Sequence, residues 1–146
     1  MENSIPTFKA TILTAFGVIG GFISSLFGGW NAAMTTLVIF MAIDYATGLL
    51  VAGVFKKSNK SQNGALESRA GWTGLARKGM TLAIVLIAVR LDMAIGSTFI
   101  RDGVIIAYII NEAVSIIENA GLMGMPVPSV IQKAIDVLQK KSEDKL

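Results

Sequence analysis

Long apolar runs alternate with short polar segments along this chain. No charged residue lies between Lys9 and Asp44, so positions 10–43 form a stretch of 34 residues without a charge. About 20 apolar residues are enough to cross a bilayer once, and a soluble helix of this length would show a polar stripe. The pattern therefore predicts an integral membrane protein.

Four apolar stretches and one amphipathic segment follow from this pattern. We expect an all-α fold with three to four transmembrane helices in a single membrane domain, residues 1–146, ending in a short C-terminal amphipathic helix. The third and fourth stretches contain ionisable residues, so each could instead lie at the membrane interface. The predicted spans are 10–27, 33–55, 79–100 and 103–120, with a polar loop at 56–78 and the amphipathic helix at 129–139.

The composition fits a membrane environment and removes several chemistries. Apolar residues make up 53% of the chain and charged residues 16%, whereas a soluble domain has roughly 25% charged residues. Cysteine and histidine are absent, which excludes disulfides, thiolate metal sites and a Ser-His triad. No Walker or Rossmann glycine spacing is present. We therefore expect no enzymatic activity, no cofactor, no metal and no nucleic-acid partner.

Basic residues concentrate in the 56–78 loop, where Glu67 is the single acid. By the positive-inside rule this loop is cytoplasmic, and the two spans before it place the N-terminus in the cytoplasm as well. If both later stretches cross, the C-terminus returns to the cytoplasm. The loop could also contact anionic lipid headgroups. Its basic residues are Lys56, Lys57, Lys60, Arg69, Arg77 and Lys78.

Small residues recur every four positions along the first predicted span. Little hydrophobic force acts between helices in lipid, so close approach of backbones through small residues supplies much of their association. Glycine is also common in membrane helices without any such role. We expect a helix-packing face, within one chain or between copies. It consists of Gly17, Gly21, Ser25 and Gly29.

Two opposite charges are predicted at the same depth in the membrane. Asp44 lies 11 residues from either end of the predicted 33–55 span, and Arg90 lies 11 residues from the start of the next span. At 1.5 Å per residue both lie about 16 Å from the cytoplasmic face. A lone charge there costs about 3 kcal/mol or more, so we expect an Asp44–Arg90 pair, within or between chains. Asp92 is disfavoured as the partner of Arg90, because residues two apart point to nearly opposite sides of a helix.

The fourth predicted span is polar along one side. Its polar residues fall within an arc of about 120° at 100° per residue, and isoleucine and alanine occupy the opposite side. Such a face suits either a water-filled lumen or a buried polar network between helices. The face comprises Tyr108, Asn111, Glu112, Ser115, Glu118 and Asn119.

An ordered set of motifs resembles a family of phage holins, the toxin-secretion and phage-lysis holins. Asp-Tyr-Ala-Thr-Gly at 44–48 is followed by a basic stretch, by Asn-Glu-Ala-Val-Ser-Ile-Ile-Glu-Asn-Ala-Gly at 111–121, and by Met-Pro-Val-Pro at 125–128. The resemblance covers roughly residues 35–140. The positions that match the family pattern are Asp44, Thr47, Gly48, Arg77, Lys78, Asn111, Glu112, Glu118 and Asn119.

The resemblance implies a small phage-encoded protein of the host cytoplasmic membrane. Such proteins accumulate, oligomerise with copies of themselves and open lesions through which an endolysin reaches the cell wall. Two other interpretations stay open. One is a small ion channel or transporter subunit in which Asp44, Arg90 and Glu112 bind or relay an ion, and the other is a scaffold that recruits a partner through residues 129–139. The expected partners of a holin are further copies of itself, membrane lipids and an endolysin.

Overall fold

The computed structural model describes residues 4–144, and all regular structure in this part of the chain is helical. The all-α prediction is therefore confirmed. The helices are α1 (Ser4–Leu26), α2 (Ala32–Leu50), α3 (Ser68–Ile95), α4 (Phe99–Leu122) and α5 (Ser129–Glu143), and a π-helical segment, Val51–Phe55, continues α2.

Two of the helices are long and apolar enough to cross a membrane. They are Ile5–Leu26, with a mean hydropathy of 1.5, and Ala32–Phe55, with a mean hydropathy of 2.0. Helices α3 and α4 are not among them, since ionisable residues interrupt the apolar runs of both. The prediction of three to four spans is thus corrected to two within residues 4–144.

The chain divides into two compact units, residues 1–31 and 32–146, where the sequence suggested a single domain. Helix α1 belongs to the first unit, and its apolar side chains are exposed along its whole length. In the second unit α4 is central, since it packs against α2, α3 and α5. The largest fully buried side chains of this unit are Met34, Leu37, Val51, Val85 and Ile105.

Helix α1 ends in a glycine turn. The N–H of Gly29 donates to the carbonyl of Ser24 at 2.9 Å, and Gly28 and Gly29 have φ angles of 71° and 92°. Glycine adopts this left-handed conformation without strain and commonly ends helices in this way. Gly29 therefore lies beyond α1, and its assignment to the helix-packing face is wrong.

Helix α3 begins at Ser68, eleven residues before the predicted start at 79. The polar loop therefore covers 56–67 only, and Arg69, Arg77 and Lys78 lie on α3. A Cβ atom on Gly64 would overlap the carbonyl of Lys56. This close approach lets the loop fold back on Lys56, where the N–H of Ser58 donates to the carbonyl of Gly64 at 3.0 Å.

Candidate functional site

A lysine lies between two carboxylates in the interior of the second unit. The Nζ atom of Lys78 on α3 is 2.8 Å from Oδ2 of Asp44 on α2 and 2.6 Å from Oε2 of Glu112 on α4. Asp44 is 7% exposed and Glu112 is 5% exposed. Removing one partner of such a buried group leaves an uncompensated charge, which is strongly destabilising. The cluster therefore fixes three helices at one level, and it carries one net negative charge.

The amide of Asn119 on α4 completes the hydrogen bonding of Asp44. Its Nδ2 atom lies 3.2 Å from Oδ1 of Asp44 and 2.9 Å from Oγ1 of Thr47. The Thr47 hydroxyl also lies 2.8 Å from the carbonyl of Ile43, so it donates to the backbone and accepts from the amide. A Cβ atom on Gly48 would lie 3.9 Å from Nδ2 of Asn119. A side chain longer than alanine at Gly48 would therefore crowd this amide.

The ring of Tyr45 lies on a glycine surface of α3. A Cβ atom would lie 3.6 Å from the hydroxyl oxygen of Tyr45 if added at Gly71, and 3.6 Å from Cε2 if added at Gly74. The Tyr45 hydroxyl donates to the carbonyl of Gly71 at 3.4 Å. These two glycines let α3 approach α2 closely enough for Lys78, one turn further along, to reach Asp44.

The predicted Asp44–Arg90 pair is wrong, because Asp44 pairs with Lys78 in the same chain. Arg90 is exposed, and its Nη1 atom lies 3.7 Å from the sulfur of Met93. The prediction measured depth from a helix start at residue 79, whereas α3 begins at Ser68. The same count of 11 residues from Ser68 reaches Gly79, next to Lys78, which the sequence pattern assigns to the loop.

The polar face of α4 is divided between the interior and an open cavity. Glu112 and Asn119 are buried in the cluster, whereas Asn111 and Glu118 are exposed. A cavity of about 1150 Å³ lies between α2, the 56–67 loop, α3 and α4. One helix thus contributes both a buried network and an open polar wall. Polar residues lining the cavity include Lys60, Arg69, Arg77, Asn111, Ser115 and Glu118, while Tyr108 is half-buried outside it.

The remaining basic loop residues lie where α2 ends. Lys56 follows the π-helical segment with a φ of 52°, and its N–H donates to the carbonyl of Val51. Lys56 and Lys57 are both exposed. Their side chains are therefore free to lie in water or among lipid headgroups at the end of α2.

A second buried carboxylate, Asp92, caps the N-terminus of α4. Its Oδ2 accepts the N–H of Arg101 at 2.8 Å, and its Oδ1 accepts the N–H of Ile100 at 3.1 Å and the hydroxyl of Ser97. Burial acts to raise the pKa of Asp92, but these hydrogen bonds outweigh it, so the pKa lies below its ordinary value. A carboxylate is favoured at this end of a helix. A search for N-cap residues directly before α4 does not find Asp92, because Asp92 lies on the preceding helix, α3.

No group of three or more Asp, Glu, His or Cys side chains is arranged to hold a metal ion within residues 4–144. Both carboxylates of the cluster instead bind the Lys78 ammonium, which offsets one of their two negative charges. The arrangement is a structural and electrostatic device that holds charge inside an apolar helical unit.

Two helices long and apolar enough to cross a membrane, with an acid in the second that is paired by a neighbouring helix, are features of a membrane protein. A model of the bacteriophage holin family matches residues 21–140, which include α2, α3, α4 and most of α5. The chain belongs to the bacteriophage holin family. A protein of Bacillus phage phi105 described as "Probable holin" is 28% identical over 110 residues, which are 75% of this chain and 76% of that protein.

Relatives of similar length also occur in bacteria. An uncharacterized 14.9 kDa protein of Clostridium perfringens is 34% identical over 143 residues, covering 97% of this chain and 99% of that protein. The protein Lin0175 of Listeria innocua, also uncharacterized, is 37% identical over 133 residues, covering 90% and 87%. No solved structure gives a significant match.

Proposed function

We propose that this chain is a holin: copies of it assemble in the cytoplasmic membrane of a bacterium and open lesions through which an endolysin reaches the cell wall. The family match over residues 21–140 carries this proposal, and the resemblance to the probable holin of phage phi105 supports it. The chain then acts by breaching the membrane barrier rather than by catalysis, and needs no cofactor.

In the proposed arrangement α1 and α2 each cross the membrane, with the 56–67 loop on the cytoplasmic side. Three lysines lie within the five residues that follow Phe55, in accord with the positive-inside rule. The N-terminus then also lies in the cytoplasm. Helix α3 leads away from the loop and α4 returns towards it, so the C-terminus lies on the same side. Asp44, the thirteenth residue of Ala32–Phe55, lies near the middle of the bilayer.

The exposed wall of the cavity supports assembly around water. Through the cluster, α3 and α4 lie beside α2 at the level of Asp44. Arg77 and Asn111 adjoin cluster residues in sequence and are exposed near this level, as is Glu118 further along α4. A charged side chain in lipid costs about 3 kcal/mol or more. In the proposed oligomer this wall therefore faces a water-filled lumen or a neighbouring subunit.

Helix α1 offers a surface for contact between copies. Gly17 and Gly21 lie one turn apart, and a Cβ atom added to either would meet no atom within 4 Å. Ser25 continues the same side of the helix, with its hydroxyl donating to the carbonyl of Phe22 at 2.7 Å. Small residues in this spacing allow two membrane helices to approach closely. We assign this face to association of α1 helices in the oligomer.

Induced expression in a bacterial host tests the proposal. Membrane potential, culture density and escape of a large cytoplasmic reporter are followed with and without a muralytic enzyme that lacks a signal sequence. The expected result is abrupt depolarisation and reporter escape, with lysis only when the enzyme is present. Normal growth with an intact potential, at a protein level confirmed in the membrane fraction, would contradict lesion formation.

A small ion channel or transporter subunit is the second candidate, and the buried Asp44–Lys78–Glu112 cluster is the observation that favours it. Arg90 has no part in this version, because it is exposed and away from the cluster. A channel of this kind depolarises the cell while the large reporter stays inside. Reporter escape therefore separates the two candidates.

A further inference from the structure

Helix α5 presents more apolar surface than its partner helix covers. Ile135 is buried in a small core with Ile110 and Ala113 of α4. On another side of α5, Val130 and Val137 are 74% and 63% exposed. These two valines lie seven residues apart and so share one side of the helix. We call this side, Val130–Ala134–Val137, the valine strip.

Lysines border the valine strip. Lys133 lies three residues after Val130 and four before Val137, and Lys140 and Lys141 lie three and four residues after Val137. Residues at these spacings are neighbours on a helix surface. None of the three lysines has an ion-pair partner among residues 4–144. The other side of α5 carries the polar residues Gln132, Asp136, Gln139 and Glu143, and the net charge of the helix is +1.

The position of α5 against α4 is unfavourable once the second unit is surrounded by lipid. Ile110 and Ala113 flank Glu112, which is level with Asp44 in the middle of α2. The exposed charges of α5 would then lie in hydrocarbon, at a cost of about 3 kcal/mol or more for each. An amphipathic helix with lysines beside its apolar side is instead stable along a membrane surface, with that apolar side at the boundary of headgroups and acyl chains.

We propose that α5 is a membrane-surface helix that binds anionic phospholipid. The valine strip enters the boundary between headgroups and acyl chains, and the lysines beside it contact anionic headgroups of the cytoplasmic leaflet. This inference rests on the proposed crossing of the membrane by α2. The proposal gives α5 a ligand of defined chemistry, whereas the family match covers most of α5 without assigning it a role.

The absence of cysteine from the chain allows a clean labelling test. Single cysteines are introduced by Val137→Cys in the valine strip or by Gln139→Cys on the polar side, and each is labelled with an environment-sensitive fluorophore. The full-length chain is reconstituted into vesicles of phosphatidylcholine alone or mixed with phosphatidylglycerol, with and without a nitroxide-bearing lipid as quencher. The label at 137 is expected to shift to shorter wavelength and be quenched when phosphatidylglycerol is present, while the label at 139 stays in water.

Removing lysines sharpens the test. In the Val137→Cys background, Lys133→Gln and Lys140→Gln should each lower the partition of α5 to the anionic surface about fivefold. Each lysine contributes about 1 kcal/mol of attraction to such a surface, which corresponds to that change. Equal quenching at 137 and 139, no response at 137, or a response independent of phosphatidylglycerol would each overturn the proposal. The readout needs no membrane leakage, so its failure is distinct from failure of the holin proposal.

Discussion

The two helices that can cross a membrane differ in what surrounds them. The apolar window of α1 has a mean hydropathy of 1.5 and none of it is buried, whereas the window in Ala32–Phe55 has a mean hydropathy of 2.0 and is 28% buried. The more apolar of the two bears an acid near its middle, Asp44, whereas the single charge of α1, Lys9, lies near its start. Apolar residues alone suffice to favour a helix in lipid, but a charge within it requires partners from other helices. Here those partners are Lys78 of α3 and Asn119 of α4.

This difference assigns different roles to the two units. The exposed surface of α1, with its large aromatic side chains and its small residues, suits lipid and other copies of α1. Helix α2 is tied by its charge and by Thr47 to α3 and α4. Substitutions in α2 and its partners should therefore act on folding of one chain, and substitutions in α1 on association between chains.

The largest effect is expected from Lys78→Met, which leaves Asp44 and Glu112 buried without a counter-ion. The free energy of unfolding of the second unit should fall by about 3–5 kcal/mol. Chemical denaturation in detergent micelles measures it. The control is Arg90→Gln, which alters an exposed residue and should change stability by no more than about 0.5 kcal/mol. Equal effects of the two substitutions on the free energy of unfolding would contradict a stabilising role for the cluster.

Asn119→Ala should have the next largest effect, because it removes hydrogen bonds to Asp44 and Thr47 in the interior. A loss of about 1–3 kcal/mol is expected. Asn111→Ala provides a matched control, since it makes the same change on an exposed side of the same helix. If Asn111→Ala destabilised the chain as much, the distinction between the buried network and the open wall would fail.

Gly74→Val tests the close approach of α3 to α2. The new side chain would meet the ring of Tyr45, and overpacking of this kind costs about 1–3 kcal/mol. A Cβ atom added at Gly17 on α1 meets no atom within 4 Å, so Gly17→Val should leave the stability of the second unit unchanged. It should instead reduce cross-linking between copies in membranes. An unchanged level of cross-linking would remove the packing role of the α1 face.

Asp92→Asn should have the smallest effect, since it changes the cap of α4 outside both candidate spans. The pKa of Asp92 is lowered in the folded chain, so its stabilising contribution is present above the ordinary aspartate pKa. That contribution is lost as the pH falls through the lowered value. Denaturation of the wild type and Asp92→Asn across acidic pH should therefore converge at low pH. A constant difference between them would contradict the capping role.

Much of the fold follows from the sequence because hydropathy and periodicity are local signals. They indicate the helices, and they identify Asp44 as a charge in need of a partner and Glu112 as part of a polar face. The predicted partner of Asp44, Arg90, is wrong because Gly71 and Gly74 resemble loop residues and so place the predicted start of α3 too late. Each glycine in a helix costs about 1 kcal/mol. In the fold these glycines give Tyr45 its surface, so packing between helices overrides the local preference.

Other features depend on contacts that spacing alone does not specify. Asp92 caps a helix that begins seven residues later, at Phe99, so a search for local caps does not find it. Six of the nine positions that resemble the holin pattern lie in or directly beside one buried cluster, which gives that pattern a physical reason. They are Asp44, Thr47, Gly48, Lys78, Glu112 and Asn119.

The most direct test of the account is release of solutes of graded size from vesicles containing the purified chain. Fluorescent solutes from small ions to folded proteins are trapped together in vesicles of phosphatidylethanolamine and phosphatidylglycerol, and the protein density is raised stepwise. If the chain forms lesions, protein-sized solutes escape along with small ones above a threshold density. Release limited to ions at every density would contradict it and favour a channel built on the Asp44–Lys78–Glu112 cluster.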